Sequence, residues 1–139
     1  MNTKMLINGN KYVDERGVIN FNNNFNASAI KRIYIIENAS IDFIRGWQGH
    51  AIEKRWFSCI NGSFIISVIR IDDFENPSEN LQPTVYELNA EGLNILAIEE
   101  GCVTAIKACT ENSKLLVMAD YALNEIKDEY RFPIDYFKI

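Results

Sequence analysis

Apolar and polar positions alternate with a period of two along most of this chain, or gather into short β-branched and aromatic blocks. This is the pattern of strands and not of helices. Residues 30–37 (IKRIYIIE), 54–60 (KRWFSCI) and 63–71 (SFIISVIRI) read as strands, as do 84–88, 93–98, 102–109 and 114–119 (KLLVMA). Turn signals separate them at intervals of about 8–12 residues, the spacing of a sandwich or barrel. Asn61-Gly62 predicts a type I′ hairpin between two of these strands, because both residues tolerate a positive φ. Ala90-Glu91-Gly92, Glu100-Gly101 and Glu111-Asn112-Ser113 mark further turns. The long segment 72–83 (DDFENPSENLQP) is polar, carries two prolines and reads as a solvated excursion in preference to a pocket rim. Only 123–129 (LNEIKDE) has a helical pattern, and it is too short to stand without packing. With no internal repeat and no linker, residues 1–139 read as one all-β domain.

Composition narrows the function classes. The 139 residues are 47% hydrophobic with only 3 Pro, enough apolar material for an ordered core. The net charge is -5 and the basic residues are scattered. Nucleic-acid binding needs a basic stripe that displaces counterions from phosphates, and none is present. An anionic small ligand is still compatible, since a few arginines can make one pocket positive in an acidic protein. Cys59, Cys102 and Cys109 are odd in number and match no zinc spacing. Cys59 and Cys102 lie in apolar runs, where a free cysteine acts as a small hydrophobe. Residues 1–10 contain no apolar leader core, and no apolar run approaches the ~20 residues of a membrane span. The expected setting is cytoplasmic.

The chemistry concentrates in Arg45-Gly46-Trp47-Gln48-Gly49-His50, followed by Glu53, Arg55 and Trp56. This stretch holds the only His and both Trp of the chain. Two glycines flank Trp47-Gln48, which implies a tight backbone path placing polar side chains at a strand's mouth.

Here the chain resembles a family. Arg45-Gly46-Trp47-Gln48-Gly49-His50, then a strand, then Asn61-Gly62-Ser63, resembles the cupins that modify nucleotide-linked 4-keto-6-deoxy sugars. These are the dTDP-sugar 3,4-ketoisomerases and, more remotely, the dTDP-4-dehydrorhamnose 3,5-epimerases. Asp14-Glu15-Arg16-Gly17, Lys31-Arg32-Ile33-Tyr34, residues 115–119 with Tyr121, and the ending from Asp128-Glu129-Tyr130-Arg131 to Asp135-Tyr136-Phe137 fit the same families. The resemblance spans most of the chain. It implies a cupin double-stranded β-helix, a jelly-roll barrel with at most one short C-terminal helix, and a homodimer. A homodimer also suits the edge strands that a small sandwich must cover.

The departures bear on mechanism. Metal-binding cupins carry His-x-His-x(3–4)-Glu-x6-Gly, with a further His in a second motif. Laid on this chain, the ligand places become Gln48, His50, Arg55 and Thr104. An arginine is permanently cationic and has no lone pair to give, so a divalent ion would be repelled and no metal is expected; no cofactor is expected either. The sugar-modifying cupins also work without metal. In both sugar families, however, the place of Gln48 is a His with a proton-transfer role, and glutamine is no base near neutral pH.

Ketoisomerisation and epimerisation both remove a proton next to a carbonyl and return one elsewhere. The base is best met by imidazole, hence His50. Donors to the developing enolate oxygen would be Gln48 and Tyr34, and Tyr34, Glu53 and Tyr121 are the reserves for the base. A diphosphate calls for the planar fork of arginine, hence Arg45 and Arg55. Arg32, Trp47 and Glu53 complete the candidate substrate contacts. Each has a plainer reading: Arg45 in an ion pair with Glu53 or Glu37, Tyr34 and Tyr121 in the core, Trp47 and Trp56 in core or pocket wall, Glu53 as a rim charge. The leading expectation is a metal-independent isomerase or epimerase of a nucleotide-linked keto-deoxy sugar in surface-polysaccharide synthesis. The alternative is a non-catalytic cupin that binds such a sugar, having lost its base at Gln48.

Overall fold

A computed structural model describes residues 5–138. Its strands are β1 (Leu6–Ile7), β2 (Asn10–Asp14), β3 (Gly17–Phe21), β4 (Arg32–Ile36), β5 (Ile44–His50), β6 (Arg55–Asn61), β7 (Ser63–Arg70), β8 (Thr84–Asn89), β9 (Ile95–Ile98), β10 (Cys102–Ala108), β11 (Lys114–Ala119) and β12 (Glu129–Arg131). Two five-stranded antiparallel sheets form, in the orders β1-β9-β6-β11-β4 and β12-β5-β10-β7-β8, with β2 and β3 as a separate ribbon. From β4 to β12 the chain changes sheet at every connection except β7 to β8. That alternation makes this the jelly-roll barrel implied by the resemblance.

It also corrects the reading of Asn61-Gly62. These residues do not close a hairpin, because β6 and β7 belong to different sheets. Asn61 stays in its strand while Gly62 alone takes a positive φ of 74°, and a Cβ there would lie 2.1 Å from Ser113 Oγ. The dipeptide is a barrel corner. Leu93, at φ 45°, delays the start of β9 to Ile95. Asn124, at φ 64°, interrupts the helical pattern of 123–129, which forms a turn leading into β12.

The main core lies between the sheets. Phe57, Leu96, Leu115 and Val117 face Phe64, Ile66, Val68 and Ile106 across it. Each such buried side chain contributes about 1.5–3 kcal/mol over its exposed state. A second apolar cluster covers the outer face of the β5–β10–β7 region, with Trp47, Ile69, Val103 and Phe137 at its centre. Segment 72–83 is therefore not a solvated excursion. Phe74 and Leu81 pack into this second cluster, and Tyr136 donates to the Pro77 carbonyl at 2.6 Å. Loop and C-terminal tail together brace β5 from behind.

Candidate active site

The cavity opens among β4, β5, β6 and β10. A bulge in β5 decides which side chains reach it. Gln48 pairs with Thr104 and Arg45 with Ile106, so Gly46 and Trp47 together oppose the single residue Ala105. An extra residue of this kind re-aims the side chains beyond it. Arg45, Gln48 and His50 all line the cavity despite their uneven spacing, and Trp47 turns outward into the second cluster. Gly49 holds β5 against β10, since a Cβ there would meet the Cys102 carbonyl oxygen at 2.0 Å.

His50 is buried, and its Nδ1 lies 3.0 Å from Asp128 Oδ1. The other carboxylate oxygen accepts the backbone N–H groups of Ile52, at 2.8 Å, and Glu53, at 2.7 Å. Burial alone pushes the Asp128 carboxyl up. The hydrogen bonds from the Glu53 amide, the His50 ring and the Ile52 amide outweigh it and hold the group below its ordinary 3.8. Asp128 is thus an ionised acceptor, and Nδ1–H of His50 is the donor. The lone pair falls on Nε2, which is buried and has no hydrogen-bond partner among the described residues. An imidazole held by a carboxylate in this way can accept a proton at Nε2.

Beside this pair sits a second one. Gln48 Nε2 donates to Glu129 Oε2 at 2.9 Å, and Arg131 donates to the same oxygen. The β5–β12 ladder sets both pairs side by side, with His50 opposite Glu129 and Gln48 opposite Arg131. Its amide committed to Glu129, Gln48 has its carbonyl oxygen free to accept from a ligand hydroxyl.

Across the cavity, Arg55 donates through Nε to Glu53 Oε2 at 2.5 Å and through Nη1 to the Tyr34 hydroxyl. Arg32 stacks over the Tyr34 ring at 4.6 Å. Glu53 is therefore not a rim charge. It is buried and balances Arg55, which is not free to serve as an unpaired phosphate ligand. Tyr34 accepts from Arg55, so its own hydroxyl hydrogen is free for a ligand. These side chains leave a narrow space of about 40 Å³. Arg45 is exposed at the mouth and has no acidic partner among the described residues; Glu37 pairs with Lys114 at 3.6 Å instead.

The four metal-ligand places of the cupin motifs, at Gln48, His50, Arg55 and Thr104, do converge on this cavity. His50, Glu53 and Asp128 also bring donor atoms within 4.8 Å of one another. Asp128 is committed to the His50 ring and to two amides, and Glu53 to a guanidinium that would repel a cation. Three candidates fall outside. Trp47 is 1% exposed, edge-on to Phe137 with its indole N–H on the Ile134 carbonyl, so neither face can stack on a ligand. Tyr121 does not line the cavity; its ring is 5.9 Å from the Lys31 ammonium. Arg32 stands beyond the lining, behind Tyr34. Cys102 does line it, but burial pushes its thiol up, so it is no ready thiolate. Sequence reasoning passed over Asp128 and Glu129 as site residues. Their presence in the C-terminal run that fits the sugar families was the available signal.

A jelly-roll barrel with a carboxylate-held imidazole, two arginines and an incomplete metal-ligand set is the class that fold and site define. The model of the family described as "FdtA: WxcM-like, C-terminal" matches residues 1–138, and the chain belongs to that family. Among solved structures it is similar to a His-to-Asn mutant of the 3,4-ketoisomerase QdtA from Thermoanaerobacterium thermosaccharolyticum in complex with TDP-4-keto-6-deoxyglucose. That match has 27% identity, a TM-score of 0.70, and coverage of 91% of this chain and 86% of that one. The WlaRB TDP-quinovose 3,4-ketoisomerase from Campylobacter jejuni shares the fold at 22% identity and a TM-score of 0.67, covering 91% of each chain. So does the RmlC epimerase of Mycobacterium tuberculosis, at 16% identity and a TM-score of 0.68, covering 91% of this chain and 66% of that one. No curated protein matches the chain.

Proposed function

We propose that this protein is a metal-independent isomerase of a dTDP-linked 4-keto-6-deoxy sugar. The observation that carries the reading is the His50–Asp128 pair, with Nε2 unpartnered in the cavity wall. His50 removes the proton next to the ketone. The enolate oxygen that forms accepts the Tyr34 hydroxyl, whose oxygen is itself held by Arg55. His50 returns its proton to the former carbonyl carbon while the neighbouring hydroxyl gives up its proton and the enolate oxygen takes one up, so the old ketone becomes an alcohol and the adjacent carbon the ketone. Gln48 orients a sugar hydroxyl and takes no part in proton transfer, which resolves the loss of the first family His. The test is product analysis by NMR after incubation with dTDP-4-keto-6-deoxyglucose. A ketone moved to the adjacent carbon supports the reading; an unchanged sugar that nevertheless binds supports the binding-module alternative. Surface-polysaccharide synthesis in the cytoplasm is the setting such a substrate suggests.

Arg45 is the proposed diphosphate contact. Arg45→Ala should weaken dTDP binding by about 1.5–3 kcal/mol, the worth of a charged hydrogen bond. Calorimetry checks this, and unchanged affinity would move the anion site elsewhere. The purified protein should also hold no stoichiometric Fe, Mn, Ni or Zn; elemental analysis finding one equivalent would overturn the metal-free reading.

A second copy of the chain is the proposed cover for the outer face of β4, where Ile33 is 66% and Ile35 51% exposed, and for the apolar ribbon of β2 and β3. Light scattering should give the mass of a dimer, and the Ile33→Glu, Ile35→Glu double variant that of a monomer. A monomeric wild type contradicts this.

A further inference from the structure

We propose that Tyr130 and Phe74, neither of which lines the cavity, are positioning residues that hold Asp128 on the His50 ring. This role rests on the function proposed above and extends its machinery to the outer face of the barrel.

The carboxylate that orients His50 has little local support. Asp128 immediately precedes β12, a strand of three residues at the edge of its sheet, paired with β5 alone. The Ala51 N–H donates to the Asp128 carbonyl at 3.1 Å and the Phe132 N–H to the Trp47 carbonyl at 2.9 Å, which extends that ladder by a rung at each end. Glu129 and Arg131 are exposed, and Tyr130 is the one half-buried residue of the strand. Short elements with few buried contacts are the parts of a fold that open locally at least cost. Yet the Asp128 side chain must meet three donors at once: the His50 ring at 3.0 Å and the Ile52 and Glu53 amides at 2.8 and 2.7 Å.

Tyr130 supplies the anchor. Glu129 meets Gln48 and Arg131 meets Glu129, so these two side chains share one face of β12. Strand alternation sends Tyr130 to the opposite face. There its ring meets Phe74, with centroids 4.3 Å apart and planes tilted by 38°. Phe74 in turn packs into the second apolar cluster. Its loop is closed by the Asp72 carboxylate, which accepts the Ser78 amide at 3.1 Å, and is tied to the C-terminal tail where Tyr136 donates to the Pro77 carbonyl. Contact therefore runs from the cluster through Phe74 and Tyr130 to β12, and from there to Asp128 and His50.

The test uses the full chain and reads the His50 tautomer as well as the rate. His50 is the only imidazole, so its ring nitrogens need no assignment in a nitrogen NMR spectrum. At alkaline pH, where imidazoles are neutral, wild type should carry the ring proton on Nδ1. Phe74→Leu, which keeps an apolar side chain in the cluster, and Tyr130→Ala should each shift part of that proton to Nε2. With dTDP-4-keto-6-deoxyglucose each should lower kcat about 10–100-fold with KM little changed, the loss that a group misplaced from a distance causes. The double variant should lose no more than the worse single one, because both changes remove the same contact. Tyr130→Phe, which keeps the ring, should match wild type. Wild-type tautomer and kcat in both single variants would overturn the positioning role, as would losses that add in the double variant or a Tyr130→Phe as impaired as Tyr130→Ala. If wild type converts no sugar while the tautomer still shifts in the variants, the proposed function falls and Phe74 and Tyr130 remain the support of Asp128.

Discussion

His50→Asn is expected to abolish hydrogen exchange next to the ketone while leaving dTDP binding nearly intact. His50 is the only imidazole in the chain, and its Nε2 is the one buried side-chain nitrogen in the cavity wall without a partner among the described residues. Losing a positioned acid–base group costs about 10²–10⁴ in rate. Asparagine keeps a polar group that can still meet Asp128, so the fold should survive. NMR of the sugar in deuterated water gives the exchange rate, and calorimetry gives the affinity. If exchange continues at the wild-type rate, Tyr34 becomes the next group to test.

Asp128→Asn should be nearly as damaging, for a different reason. The Ile52 and Glu53 amides both point at one carboxylate oxygen. An asparagine must place its carbonyl oxygen there to satisfy them. Its NH2 group is then forced toward Nδ1 of His50, which must accept, and the ring proton moves to Nε2. The imidazole is held in the wrong tautomer, and a loss of about 10²–10⁴ in kcat is expected with little change in KM. A structural role alone would not produce that split. Asp128→Ala should also destabilise, because each buried N–H left without an acceptor costs about 1–3 kcal/mol.

The pH dependence of stability follows from the same carboxylate. Its folded-state pKa is depressed below 3.8. Its stabilising contribution is therefore present above the unfolded value and is lost as pH falls through the lower folded value. Wild type should lose stability more steeply than Asp128→Asn below about pH 4, measured by denaturant unfolding across that range. Parallel curves would show that the carboxylate is not held as described.

Strand positions were legible because one face of each strand is buried, and alternation records that directly: Tyr34 and Ile36 inward, Ile33 and Ile35 outward. Which strands pair was not. Asn61-Gly62 has the local chemistry of a hairpin, but only tertiary contacts with Ser113 show that it turns a corner between sheets. β5 escaped the periodicity because its bulge breaks the period at Gly46-Trp47. That same break hid the fact that Trp47 and Gln48 face opposite ways. His50, Gln48, Arg45 and Arg55 were legible from one motif, since they lie within eleven residues of one another. Asp128 is 78 positions from His50 and reaches it only through the β12–β5 ladder, a pairing no local pattern announces. Glu53 looked like a rim charge because sequence does not show that Arg55, two residues on, turns inward beside it.

Solvent exchange tests the central claim most directly. Wild-type protein, dTDP-4-keto-6-deoxyglucose and deuterated water should give deuterium at the carbon next to the ketone, read by NMR or mass spectrometry, with the signal lost in His50→Asn. A wild type that binds the sugar nucleotide tightly yet incorporates no deuterium would contradict it, and would make this barrel a binding module.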